Sequence, residues 1–163
     1  MNNDAAQKQL LYAYELLRVN SPGELVRNFI AEDQKLLLAG EWDYKNPDLK
    51  VNKIKELIES AIKHGLNLGG EKQDDLRDIL WFWYHHAIGN AIWGYKDKER
   101  AQEFSKKALE YQISDNPNKI TRLLYLLVHD KAEEADTFLL TITTEPDKSA
   151  AVGVIAQFQD SSF

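Results

Sequence analysis

Residues Ile88 to Tyr111, IGNAIWGYKDKERAQEFSKKALEY, decide the fold. They read as two amphipathic helices joined by a tight polar turn. Upstream of the turn, Leu76, Ile79, Leu80, Trp83, Ala87 and Ala91 recur at helical spacing, while Trp81, Tyr84, Ile88, Ile92 and Tyr95 line another face. A helix apolar on two faces is expected to be packed on two sides. Downstream, Ala101, Phe104, Ala108 and Tyr111 form one stripe, with Lys106, Lys107 and Glu110 outside it. Asp97 is placed to cap this second helix, because its carboxylate can accept from the free N–H groups of the first turn. Gly89, Ala101 and Ala108 are small where a buried face would normally carry a large residue, which predicts close approach of helix backbones.

This stretch resembles the tetratricopeptide repeat. Ile88-Gly89-Asn90-Ala91, Asp97, Ala101 and Ala108-Leu109-Glu110 carry the resemblance, over about one repeat. Lys96 stands where the family usually has glycine in the turn, and Lys98 where it usually has an aromatic residue. The family period is about 34 residues. Adding it to Ala101 and Phe104 lands on Ala135 and Phe138, with Ile120, Leu123, Leu124 and Leu127 supplying a first helix between them. Upstream, Ile54, Leu57, Ile58 and Ala61 echo the same outline. The expected fold is all-α: antiparallel helix pairs in a short solenoid of roughly eight helices. A hairpin cannot bury its own apolar face alone, so neighbouring pairs are required.

A single domain over residues 1–163 is expected, with a hinge candidate at Gly65–Lys72. A first helix is expected over Gln9–Arg18. A second follows a Ser21/Glu24 capping box with Pro22 at its first position, carries Leu25 to Leu37 and ends at Gly40. Trp42 and Tyr44 lie in a loop and are expected to fold back over the core. Leu49 to His64 is the next helix, stopped by Gly65. Asn116 with Pro117 is expected to open the helix carrying Ile120. Between Phe138 and Phe158 a helical reading competes with a β-hairpin, because threonine and β-branched residues surround a Glu-Pro-Asp-Lys turn. The helical reading is preferred, with a final helix over Asp147–Phe158 capping the stack.

The formal charge of −6 argues against a nucleic-acid surface and against anionic membrane, and weakly favours a basic partner. Without cysteine, thiolate catalysis, disulfides and Cys-ligated zinc are excluded. No apolar run approaches a membrane span, and Met1-Asn-Asn-Asp lacks the features of a signal peptide, so the cytoplasm is the default expectation. His85 and His86 are adjacent and point about 100° apart, unlike the i, i+4 pair of H-E-x-x-H. Metal binding through either would need a further ligand such as His129, and structural roles are preferred. Asp74-Asp75 and Glu133-Glu134-Asp136 read as solvated faces or helix starts. No nucleophile elbow, P-loop or dinucleotide fingerprint is present.

The expected function is therefore a non-enzymatic adaptor, without cofactor, that binds a peptide or protein. In the resembled family the first helix of each pair lines the concave binding face. By position, that face would show Trp83, His86, Asn90 and Trp93, with the Asn90 amide able to both donate to and accept from a peptide backbone. A carboxylate clamp is not expected, because His86, Val128 and Ala132 fall where cations would be needed. Two other classes compete: an acidic immunity or secretion-chaperone protein masking a basic partner, and a small helical enzyme or metal protein using His85 or His86 with His129. A short solenoid with exposed ends can also pair with a copy of itself as a homodimer.

Overall fold

The computed structural model describes residues 44–46, 50–63 and 70–161. The helices expected over Gln9–Arg18 and Leu25–Leu37, the Ser21/Glu24 capping box, Gly40, Trp42 and the helix stop at Gly65 lie outside the described residues. Every regular element described is helical: α1 (Lys50–Lys63), α2 (Gly70–Gly89), a π-helical segment (Asn90–Gly94), α3 (Lys98–Tyr111), α4 (Ile120–Val128), α5 (Ala132–Leu139) and α6 (Asp147–Asp160). No strand occurs among the described residues, so the β-hairpin alternative for 138–158 gives way to α5 and α6. No helix among the described residues is long and apolar enough to cross a membrane.

The chain divides into two compact units, Met1–Trp83 and Tyr84–Phe163, with the boundary inside α2. Of the hinge candidate at Gly65–Lys72, residues 70–72 belong to the first turn of α2 and 65–69 lie outside the described residues.

In the first unit, Ile58, Leu76, Ile79, Leu80, Trp81 and Trp83 are buried, as the helical spacing predicts. Helix α1 also buries three polar residues. Asn52 Nδ2 donates to the Asn46 carbonyl at 2.8 Å, which ties the Tyr44–Asn46 turn to the first turn of α1. Lys55 Nζ and Glu59 Oε2 are 3.3 Å apart, both side chains close to fully covered. A buried pair of this kind adds little net stability when intact, but removing one partner is costly because the other charge is left unpaired.

In the second unit, Ala87, Ile88, Ala91 and Ile92 are fully buried, and Tyr84 stacks on Tyr111 at 5.9 Å and 7° and lies 6.0 Å from Phe104. Both predicted stripes are therefore covered, except at Tyr95, which is 42% exposed. The π segment explains the exception. Tyr95 N–H bonds to the Asn90 carbonyl, five residues back, so the helix gains one residue per turn there. The extra residue turns the chain beyond it by about 100° and carries Tyr95 off the buried stripe.

The turn that follows is closed by Asp97 N–H on the Ala91 carbonyl (2.8 Å), with Lys96 at φ 53°. Asp97 then caps α3 as expected: its Oδ1 accepts from Arg100 N–H at 3.1 Å, an interaction worth about 1 kcal/mol. Ala101 and Ala108 are fully buried, in line with the small-residue expectation. Gly89 does not serve a helix–helix approach. A Cβ built there meets the ring of Trp93, on the same helix, at an ordinary 3.6 Å.

Helices α3 and α4 run antiparallel. Lys98 at the start of α3 reaches Asp130 beyond the end of α4 (2.7 Å), and Gln102 Nε2 donates to the Val128 carbonyl (2.9 Å). At the other end, Gln112 Nε2 donates to the Asn118 carbonyl. Helix α4 begins later than Asn116-Pro117 suggested. Asn118 Oδ1 accepts from Ile120 N–H, while Asn116 Oδ1 is used one turn earlier on Asn118 N–H. The end of α4 is a Schellman motif: Asp130 at φ 60°, Lys131 N–H on the Leu126 carbonyl and Asp130 N–H on the Leu127 carbonyl. Leu123, Leu126 and Leu127 of α4, Ala135 of α5, Ile142, and Ala151 and Ile155 of α6 form one buried cluster. Helix α6 spans 147–160 against an expected 147–158, with Glu145 accepting from the Ser149 hydroxyl (2.6 Å) and N–H at its start.

Candidate functional site

The four residues assigned to a binding face do not share one environment. Trp83 is 1% exposed and belongs to the first unit. Its ring is covered, whereas the expected binding face would need it open. His86, Asn90 and Trp93 fall in the second unit and follow one another at spacings of four and three. His86 and Asn90 are exposed, and Trp93 is half-buried.

Trp93 sits in the π segment and donates its indole Nε1–H to the Gln157 carbonyl near the end of α6, at 3.4 Å. Trp93, Lys96, Gln157, Asp160 and Ser161 line an open groove of about 510 Å³. The indole edge, a lysine and an aspartate there offer donors and acceptors around an aromatic surface. The aromatic group as a whole divides: Trp81 and Tyr84 are buried with Trp83, Phe82 is partly covered, and Trp93 alone of the five reaches this groove.

Next to this face, His85 turns inward. Its Nδ1 is 2.9 Å from the hydroxyl of Thr121, a fully buried residue of α4. Burial, and then the proximity of His86, lower the His85 pKa to about 4. The ring is neutral at physiological pH and serves as a polar link between α2 and α4. Burial also lowers the pKa of His86. His129, the C-cap residue of α4, donates Nδ1–H to the Tyr125 carbonyl at 2.7 Å, and its ring lies 4.1 Å from the Tyr125 ring. Among the described residues, no group of three or more His, Cys, Asp or Glu side chains is placed to hold a metal ion.

A second groove, also about 510 Å³, runs between α4 and α5. Leu126 and Phe138 form its apolar part, and Arg122, Glu133 and Glu134 stand at its edge. From the sequence the two glutamates read as a solvated face or a helix start; that they line one groove with Arg122 depends on how α5 folds back on α4. No family model, curated protein or solved structure matches the chain.

Proposed function

We propose that the chain is a tetratricopeptide-like adaptor that binds a peptide or protein segment without catalysing a reaction. The helix order supports this reading. The second unit runs from the end of α2 through the π segment, α3, α4, α5 and α6, and Ala101 on α3 and Ala135 on α5, 34 residues apart, are both fully buried. The observation that carries the function is Trp93. A half-exposed tryptophan beside an open groove, on the same helical run as exposed His86 and Asn90, provides an aromatic anchor next to an amide suited to a peptide backbone.

The test is affinity capture from native lysate at low and high salt, with Asn90→Ala and Trp93→Ala beside the unaltered chain. Both variants are expected to lose the retained partner while keeping the same helical circular dichroism. Loss of helicity in Trp93→Ala would show that the indole holds α6 in place and remove it from the binding face.

A masking role toward a basic partner is the second reading. It is favoured by exposed Glu133, Glu134 and Asp136 on α5 and by the net charge of −6. Capture that disappears at high salt would select it, since exposed charges are screened over about 8–10 Å.

A further inference from the structure

The groove between α4 and α5 has a composition that specifies its occupant. Leu126 is buried from the side and Phe138 is half-covered, packed against the cluster that joins α4, α5 and α6. The hydroxyls that border the groove are already committed. Thr137 Oγ1 donates to the Glu133 carbonyl at 3.1 Å, and Thr141 Oγ1 donates to the Phe138 carbonyl at 2.7 Å, so each bonds its own helix or turn. What the groove offers beyond apolar contact is charge: Glu133 and Glu134 at the first turn of α5, and Arg122 from α4.

Arg122, Glu133 and Glu134 are exposed and form no ion pair among the described residues. Two exposed ion pairs in the same unit, Lys98 with Asp130 and Arg100 with Glu103, lie outside the groove. The groove is therefore an apolar channel with an uncommitted acidic edge and one guanidinium. Two carboxylates repel phosphate-bearing ligands, and a net charge of −6 on each copy disfavours a second copy of the chain.

We propose that this groove binds a short segment of a partner protein carrying lysine or arginine next to an aliphatic or aromatic anchor. The cations would meet Glu133 and Glu134, the anchor would cover Leu126 and Phe138, and Arg122 would take a backbone carbonyl or an acidic side chain. The inference rests on the protein-binding reading but places the contact on α4 and α5, away from Asn90 and Trp93.

The probe is a labelled, end-blocked short peptide of alternating arginine and leucine, with two controls: glutamate in place of arginine, and serine in place of leucine. Binding to the full chain is followed by fluorescence anisotropy at low and physiological salt. The arginine–leucine peptide should bind saturably, and both controls should bind more weakly. Glu133→Gln with Glu134→Gln should weaken it about tenfold, the size expected for two edge ion pairs. Asn90→Ala should leave it unchanged. Absence of saturable binding overturns the inference, as does equal binding of the serine control, which would mean charge alone. Binding insensitive to Glu133 and Glu134 but lost in Asn90→Ala would also overturn it while supporting the adaptor site at Asn90. If the glutamate variants weaken the peptide and Asn90→Ala changes neither this peptide nor the captured partner, the α4–α5 inference stands and the Asn90 site falls.

Discussion

His85 is a titratable side chain that the fold keeps neutral. Burial first, and His86 second, bring its pKa from 6.5 down to about 4. Between those values the unfolded chain takes up a proton that the folded chain does not. Stability rises with pH wherever the unfolded state binds more protons, so this contribution is complete above pH 6.5 and is lost as pH falls toward about 4. Thermal melts across that interval should show a falling midpoint for the unaltered chain. His85→Gln can keep a hydrogen bond to Thr121 without titrating, and should fall less steeply over the same window. Parallel curves would assign the acid sensitivity to the carboxylates. The link itself was not legible in the sequence. The sequence favours structural roles for His85 and His86, one packed and one exposed, without saying which is which, and the pairing with Thr121, 36 positions away, arises only when the chain folds. Trp83 shows the converse: its position in the repeat suggests an open face, and the side chain is 1% exposed.

At the scale of the element, the turn between the π segment and α3 shows what a local pattern can and cannot say. Asp97 as cap was legible, because a carboxylate before a helical stripe has one economical use. The π segment was not, because five residues are too few to separate a wider period from an α-helical one. The departure of Lys96 from the glycine of the resembled family now has a physical consequence. Lys96 sits at φ 53°, where a side chain costs about 1–2 kcal/mol relative to glycine. Glycine gives part of that back through greater freedom in the unfolded chain, about 0.4–1 kcal/mol. Lys96→Gly should thus stabilise by about 0.5–1 kcal/mol and raise the denaturation midpoint, whereas Lys96→Ala, with a Cβ in the same conformation, should not. Chemical denaturation of the two variants distinguishes relief of backbone strain from loss of the lysine charge. A lower midpoint for Lys96→Gly would mean that the side chain, at the edge of the Trp93 groove, holds the turn. The start of α4 lies later than Asn116 suggests for a related reason: Asn116 and Asn118 each accept from the N–H two residues on, in successive turns before the helix, and Lys119 stands at the N-cap without a side-chain cap.

For the molecule as a whole, composition and charge narrow the class to a helical, acidic chain, and the sequence pattern locates α3 and α6 closely and α4 apart from its start. The grooves were out of reach because each is assembled from elements that meet only after folding. Within the second unit the same packing implies an order of stability. Helix α4 packs against α3, α5 and α6 and buries Thr121, Leu123, Leu124, Leu126, Leu127 and Val128 in nine residues. Helix α6 buries Ala151 and Ile155 in fourteen, and leaves Val152 49% exposed. Opening α6 alone uncovers far less apolar surface than opening α4, which cannot leave without exposing all three neighbours. Native-state hydrogen exchange should therefore find the slowest amides in α4, and α6 amides faster by about tenfold or more, a gap of at least ~1.4 kcal/mol. As denaturant is added, the two sets should converge on the same global opening. Equal protection in the absence of denaturant would instead make α6 part of one cooperative unit with α4, with Trp93 and Gln157 as one of the contacts that fasten it.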